Sequence, residues 1–411
     1  MKDPLEEASE EVAPPTAAII GVAFVVGLVG LFVLQPGARI PLLIVLGLVG
    51  MVMLHEAGHF VTARRAGMKV TEFFVGFGPR VWSFRRGETE YGVKAIPAGG
   101  YVRIIGMHNL EKVDADDEDR TFRSKPFRFR FVVVLAGITV NLMLAFGLFF
   151  VTILGDGRAT GPTTTISGVT EGSPADEAGI RVGDRVLTIA GEPIDEWDNV
   201  SEALVGRADE PTTVVLERDR REIVLDTVPA ARTEDTTNGC LGIGPTVGTE
   251  NVGVGTAGRE AARTMVVGGR DTAVAIGRLV SPAGVSEYSR NFSGEIERES
   301  PCVSGGSDRP VSIIGIVSFG SDAVGDNLWH LVFLLGAINL LLALFNLIPL
   351  LPFDGGHAAI ALYETVIGKI TRRDDYRADF RKMIPVSAVV LIFLLTLAVS
   401  AAVLDVRDLA N

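Results

Sequence analysis

Met53-Leu54-His55-Glu56-Ala57-Gly58-His59-Phe60 decides how the rest of this chain is read. The stretch lies near the end of an apolar run, residues 40–62, that is long enough to cross a membrane. His-Glu-x-x-His on a helix puts two imidazoles one turn apart on the same face, where both can bind one zinc ion. Glu56, between them, is then placed to take a proton from the attacking water. A pair of exposed or core-satisfied histidines is the plain alternative. It loses weight inside hydrocarbon, where ionisable groups are costly and mark functional sites. The pattern predicts a zinc peptidase centre within the bilayer.

Composition agrees with a membrane protein that also carries a soluble part. The chain has 411 residues, of which 47% are hydrophobic and 21% charged. Five apolar runs approach the roughly 20 residues a bilayer requires: 16–34, 40–62, 129–154, 328–350 and 384–404. The first is preceded by the acidic leader Met1-Lys2-Asp3-Pro4-Leu5-Glu6-Glu7 and followed by no Ala-x-Ala site, so it is expected to be a retained helix rather than a cleaved signal.

Charge orients the array. Arg64, Arg65, Lys69, Arg80, Arg85, Arg86, Lys94 and Arg103 lie between the second and third runs, and Lys369, Arg372, Arg373, Arg377, Arg381 and Lys382 between the fourth and fifth. Both connections are expected on the cytoplasmic side, with the N-terminus inside and residues 155–327 outside. A basic stripe also suits nucleic acid. A net charge of −12 and the flanking apolar runs argue against such a partner.

Two histidines leave zinc short of a third protein ligand. The fourth run ends in Asn346-Leu347-Ile348-Pro349-Leu350-Leu351-Pro352-Phe353-Asp354-Gly355-Gly356-His357. Asp354 is an acid behind two helix-breaking prolines, where irregular backbone is tolerated only if it is buried in protein or lines a cavity. A helix-ending Pro-x-Asp-Gly turn is the bland reading of these residues by themselves. Beside His55 and His59, Asp354 becomes the candidate third ligand.

His55-Glu56-x-x-His59 together with Asn346-x-x-Pro349-x-x-Pro352-x-Asp354-Gly355 resembles the site-2 protease family of intramembrane zinc metalloproteases. The resemblance implies His55, His59 and Asp354 as zinc ligands and Glu56 as catalytic base. It also implies that Asn346 lies near the active centre and supports substrate or the oxyanion. Gly137-x-x-x-Asn141 resembles the family's Gly-Pro-x-x-Asn element, with Ile138 in place of the proline, which brings Asn141 into the same supporting group. Asn141 should face the protein interior, since an amide finds no partner in lipid. Arg64-Arg65-x-Gly67-Met68-Lys69-Val70 and Phe74-Val75-Gly76-Phe77-Gly78-Pro79 resemble actinobacterial members in particular.

Residues 71–106 read as strands around Gly99-Gly100. A surface hairpin and a β-loop dipping into the membrane, the form the family implies, both fit. Gly172-Ser173-Pro174-Ala175-x-x-Ala178-Gly179-Ile180-x-x-Gly183-Asp184-Arg185-Val186 resembles a PDZ domain of the bacterial protease type. Such a domain captures an extended chain by strand addition, or serves only to exclude bulky exterior domains. Residues 256–280 are expected to form an amphipathic helix on the outer membrane face. Cys240 and Cys302, both on the expected exterior, leave a disulfide open. His108, His330 and His357 take the bland reading, since two His and one Asp already complete a catalytic zinc set.

The expected fold is thus a polytopic α-helical membrane protein of about five transmembrane helices, with a cytoplasmic-side β-loop and an extracytoplasmic PDZ domain. In order, it comprises an acidic tail (1–15), an extra transmembrane helix (16–34), the His-Glu-x-x-His helix (40–62) and a cytoplasmic segment with the β-loop (63–128). A transmembrane helix (129–154), the PDZ domain (163–230) and an exterior linker with the amphipathic helix (231–327) follow. A transmembrane helix reaching Asp354 (328–355), a cytoplasmic loop (356–383) and a last transmembrane helix (384–404) complete it. The family implies Zn2+ as cofactor and, as substrate, a single-span membrane protein first cut on its exterior side, with a transmembrane anti-sigma factor as the expected target. The expected location is the plasma membrane of a bacterium. A scaffold built on the PDZ domain would be expected to lose Glu56 or Asp354, and a metal transporter would need ionisable groups along several spans rather than at one depth.

Overall fold

The computed structural model describes residues 27, 29–107, 110–232, 237–293, 311–325, 327–373 and 376–410. Within them, after helical residues 29–34 and a 3-10 turn at Pro36–Ala38, come α1 (Arg39–Arg65), β1 (Val70–Arg86), β2 (Thr89–Ile104) and α2 (Phe127–Asp156). Next come β3 (Arg158–Val169), the single turn α3 (Pro174–Glu177), β4 (Arg185–Ile189), β5 (Glu192–Pro193) and α4 (Asp198–Ala203). Strands β6 (Thr212–Arg218), β7 (Arg221–Thr227), β8 (Ala230–Ala231), β9 (Gly239–Cys240) and β10 (Ile243–Glu250) precede α5 (Val254–Leu279) and α6 (Pro282–Ser293). The last helices are α7 (Ile313–Val324), α8 (Leu328–Leu347), α9 (Asp354–Thr371) and α10 (Ile384–Ala410). The chain divides into two compact units. The first joins residues 1–152, 258–275 and 311–411, and the second joins 153–257 and 276–310.

Four helical stretches in the described residues are long and apolar enough to cross a membrane: Pro36–Arg65, Phe127–Asp156, Leu328–Leu347 and Phe380–Arg407. They match four of the five runs expected from sequence. Most of the first run, 16–34, lies outside the described residues, as do His108 and Cys302. The Leu-, Val- and Phe-rich outward faces of these helices, such as Val132, Met143, Val389 and Ile392, are exposed and suit lipid rather than water.

In the first unit, β1 and β2 are long strands that each bend, so the first half of β1 lies between the two ends of β2: Phe74 pairs with both Gly92 and Tyr101. The second half of β1 pairs with the start of β2, as in Phe84 with Tyr91. The bend in β1 falls at Gly76, whose φ of +82° is one that residues with a Cβ rarely adopt. Ala63, Met68, Val70, Ile104, Phe122, Val133, Val134 and Ala358 then form one core that joins the end of α1, both strands, α2 and α9.

Two boundaries differ from expectation. The transmembrane helix drawn to 355 ends at Leu347, and the segment from 356 expected as a loop is helical to Thr371. Pro349 and Pro352 stop the first helix, but Gly355-Gly356-His357-Ala358-Ala359-Ile360 allows a new one with Asp354 in its first turn, so Asp354 heads one helix rather than ending another. The exterior module expected at 163–230 is also larger. Its sheet runs β10-β3-β4-β6-β7, with β5 on β4, so residues 243–250, expected in a linker, complete it by pairing with β3. Alternation is too short in Ile243–Glu250 to announce a strand; its partner β3 supplies the ladder. The helix expected at 256–280 is found as α5.

The second unit packs around Ile166, Ala175, Ile180, Val186, Ile189, Val214 and Leu216. Beside this core Asp184 is 1% exposed. It accepts from Arg218 Nε and Nη2, both at 2.7 Å, and from the Arg181 N–H at 2.8 Å. Burial pulls the Asp184 carboxyl upward, but the Arg218 fork and the Arg181 amide outweigh it and hold its pKa below the usual aspartate range. Because the folded value is depressed, the stabilisation is present above the unfolded-state pKa and is lost as pH falls through the folded one. Protection of the β4 and β6 amides should therefore hold at neutral pH and fall in acid. Asp184→Asn should reduce that protection at pH 7 by about 3 kcal/mol, the scale of breaking a buried pair, measured by hydrogen exchange.

Candidate active site

After Arg39 at its start, the helix α1 is apolar until its last three turns, which carry its other ionisable residues and where His55 and His59 sit 6% and 7% exposed. Their rings meet edge to face, with centroids 4.8 Å apart. Nε2 of His59 lies 3.1 Å from Nε2 of His55. Asp354 Oδ2, from the first turn of α9, lies 3.0 Å from His55 Nε2 and 3.2 Å from His59 Nε2. Three donor atoms from residues up to 299 positions apart thus converge on one another.

The tautomer of His59 explains what they converge for. Its Nδ1 stands 2.8 Å from the Val133 carbonyl of α2, and a carbonyl only accepts, so Nδ1 carries the proton. Nε2 of the neutral ring is then a lone pair, aimed at a second imidazole nitrogen and a carboxylate oxygen. One cation placed among these three atoms can be shared by all of them. Ligands about 2.0–2.1 Å from a tetrahedral zinc ion stand about 3.3 Å from one another, so this set of two imidazoles and one carboxylate fits that metal. A carbonyl on the far ring nitrogen is the usual way a metal-binding histidine is oriented.

Gly137 of α2 leaves the room. A Cβ there would stand 2.4 Å from His59 Nε2 and 2.6 Å from His55 Cε1. The backbone N–H of Val102 in β2 lies toward Glu56, half-buried on the same turn of α1. Gly100 of β2 is the near neighbour here, since a Cβ on it would meet Met53 Sδ at 2.7 Å and Glu56 Cγ at 3.7 Å. The β-sheet therefore approaches the glutamate through the last segment of β2.

The chain from residue 43 to residue 394 matches the family described as Peptidase family M50. The chain belongs to peptidase family M50. Two similar proteins are both named zinc metalloprotease Rip1. The one from Mycobacterium tuberculosis strain H37Rv is 35% identical over 378 residues, covering 83% of this chain and 90% of the relative. The one from Mycolicibacterium smegmatis is 32% identical over 377 residues, again 83% of this chain and 90% of the relative. As an M50 (site-2 protease) chain this is a membrane-embedded zinc metalloprotease, and the His55, His59 and Asp354 cluster is where its residues suit the metal.

The other residues named from sequence take different places. Asn346 is half-buried in the last turn of α8, and Asn141 is wholly buried in α2, one turn beyond Gly137. Among the described residues neither asparagine hydrogen-bonds to the M50 cluster. His357 faces Arg123, Arg130 and Glu364 around a small cavity instead of the donor atoms, and His330 is exposed. Sequence reasoning missed the Val133 carbonyl and the Val102 amide, which are backbone groups that any residue supplies. It also missed the function of Gly137, whose spacing of four from Asn141 was visible without its neighbours.

Gly137→Ala should push the imidazoles apart and lower zinc affinity at least about tenfold, the scale of disturbing a metal's supporting shell. Zinc counted after dialysis against a chelator, with helicity unchanged by circular dichroism, checks it.

Proposed function

We propose that His55, His59 and Asp354 hold one zinc ion and that Glu56 is the general base for peptide hydrolysis inside the membrane. The convergence of three metal donors within 3.2 Å, two of them on the helix that also carries Glu56, is the observation that carries this reading. Bound zinc supplies Lewis acidity, lowering the pKa of water and polarising a peptide carbonyl. Glu56 takes the proton from the attacking water and returns it to the departing amide nitrogen. The nearby Val102 N–H helps keep its carboxylate aimed at that water. The apolar flanks of α1, α2 and α8 keep bulk water away, which strengthens each electrostatic contact. Asn346, near the end of α8, supports the substrate carbonyl, and Asn141 the same interior region.

The substrate is a transmembrane segment of a single-span protein already shortened on its exterior side. A transmembrane helix hides its peptide groups until it unwinds, and an unwound segment can pair with an open strand edge. The last segment of β2, whose Val102 amide reaches Glu56, is the edge best placed for that role. The Lys- and Arg-rich connections favour a cytoplasmic β-sheet and an exterior second unit in a bacterial plasma membrane. That unit, with its six-stranded sheet and two short helices, is a PDZ-type domain acting as a size filter for exterior chains. An anti-sigma factor, cut first by another protease, is the substrate to try, with release of a cytoplasmic regulator as the outcome.

Purified protein in detergent should cut such a substrate, and Glu56→Gln should cut it at least about 100-fold more slowly while retaining one zinc per chain. Chelator should stop cleavage by the parent. Equal cutting by Glu56→Gln would remove the glutamate from the mechanism.

A further inference from the structure

Arg130 in the first turn of α2 and Glu364 in α9 form an ion pair with both residues shut away from solvent, at 5% and 4% exposure. Arg130 Nη1 donates to Glu364 Oε2 at 2.5 Å, and Glu364 Oε1 accepts from the Ala378 N–H at 2.9 Å. Arg377, one residue earlier, donates from Nη2 to the Arg123 carbonyl at 3.0 Å. The chain beyond α9 thus folds back over that helix and onto the residues that lead into α2. Burying two charges is costly and seldom offset by stability alone; a fixed register between elements is the use best attested for such pairs.

The register set here concerns the metal. α9 is one continuous helix from Asp354 to Thr371, so Glu364 lies ten residues from Asp354, about 15 Å along a stiff rod. At the near end of that rod, Gly355 packs so closely that a Cβ would stand 2.4 Å from the Leu347 carbonyl oxygen. On the other side, Arg130 precedes Val133, whose carbonyl holds His59, by three residues and Gly137, which makes room for both rings, by seven. These positions repeat along one face of α2. A single helix face therefore orients His59 and, through Glu364, meets the helix that carries the third donor.

We propose that Arg130 and Glu364 are positioning residues for Asp354: by locking α9 in register with α2, they hold its carboxylate against His55 and His59. The proposal rests on the reading of Asp354 as a zinc ligand. It assigns the pair a role in metal geometry, separate from holding the helices together.

The test uses the full chain in detergent with Glu56→Gln in every sample, so that no copy digests another. Zinc affinity is measured by competition with a chelator, and the cobalt(II)-loaded protein gives a visible absorption spectrum that reports ligand geometry. Asp354→Asn should weaken zinc binding strongly. Arg130→Met should weaken it about 10- to 100-fold and shift the cobalt bands, the effect expected of a supporting residue. Glu364→Gln keeps an acceptor for Ala378 and should weaken binding less, and Arg130→Lys should recover part of the affinity. If Arg130→Met does not fold, the Glu364→Gln and Arg130→Lys samples decide the matter. Parental affinity and cobalt bands in the Arg130 and Glu364 variants, alongside weak binding by Asp354→Asn, would overturn the positioning role and leave the ligand reading intact. Parental affinity in Asp354→Asn would overturn the ligand reading and the proposal with it.

Discussion

Two imidazole nitrogens and a carboxylate oxygen are held within 3.2 Å of one another, inside helices built largely of Leu, Val, Ile and Phe, as a donor set that one cation can share. Much of the first unit is explained by keeping it in place. α1 presents both histidines because they are four residues apart, and α2 fixes one ring through Val133 and leaves space for both at Gly137. α8 must stop at Leu347 so that α9 can start at Asp354 and turn its first acid inward. In a low-dielectric setting these contacts count for more than at a surface, and a misplaced donor would be left without water to replace its partner.

The same constraint accounts for the irregular backbone. A continuous helix through residues 328–371 would leave Asp354 on whichever face its phase dictated. Pro349 and Pro352 break that phase, and the freed carbonyls lie against Gly355 and Gly356, where a side chain would not fit. The bent sheet of β1 and β2 serves the other side of the centre. It delivers a backbone N–H to Glu56 through Val102 and a residue without a side chain, Gly100, where the strand meets α1. Strand thus lies beside the helix of His55, Glu56 and His59, as well as helices around it.

Much of this was legible in the residues. Apolar length gave four helices that match the structure, since hydrocarbon thickness translates directly into residue count. His55, Glu56 and His59 were legible because helical spacing by itself places them together. Asp354 was legible as an acid at the end of an apolar run. The helix it begins was not, because Gly355-Gly356 after two prolines reads locally as a turn and becomes helical once packed against α2 and α8. The strand at 243–250 was hidden for a related reason: a short polar strand with three glycine or proline residues takes its conformation from β3, which comes eighty residues earlier.

The sequence by itself determined the chemistry: which side chains can bind zinc, which carboxylate can move a proton, and which stretches must lie in lipid. These follow from residue type and from spacing within one helix, where geometry is local. Tertiary structure alone decided which backbone carbonyl orients His59, which glycine gives the rings room, and how Arg130 meets Glu364 across 234 residues of chain. Those choices depend on packing between elements distant in sequence, and no local pattern encodes the distance at which two helices come to rest.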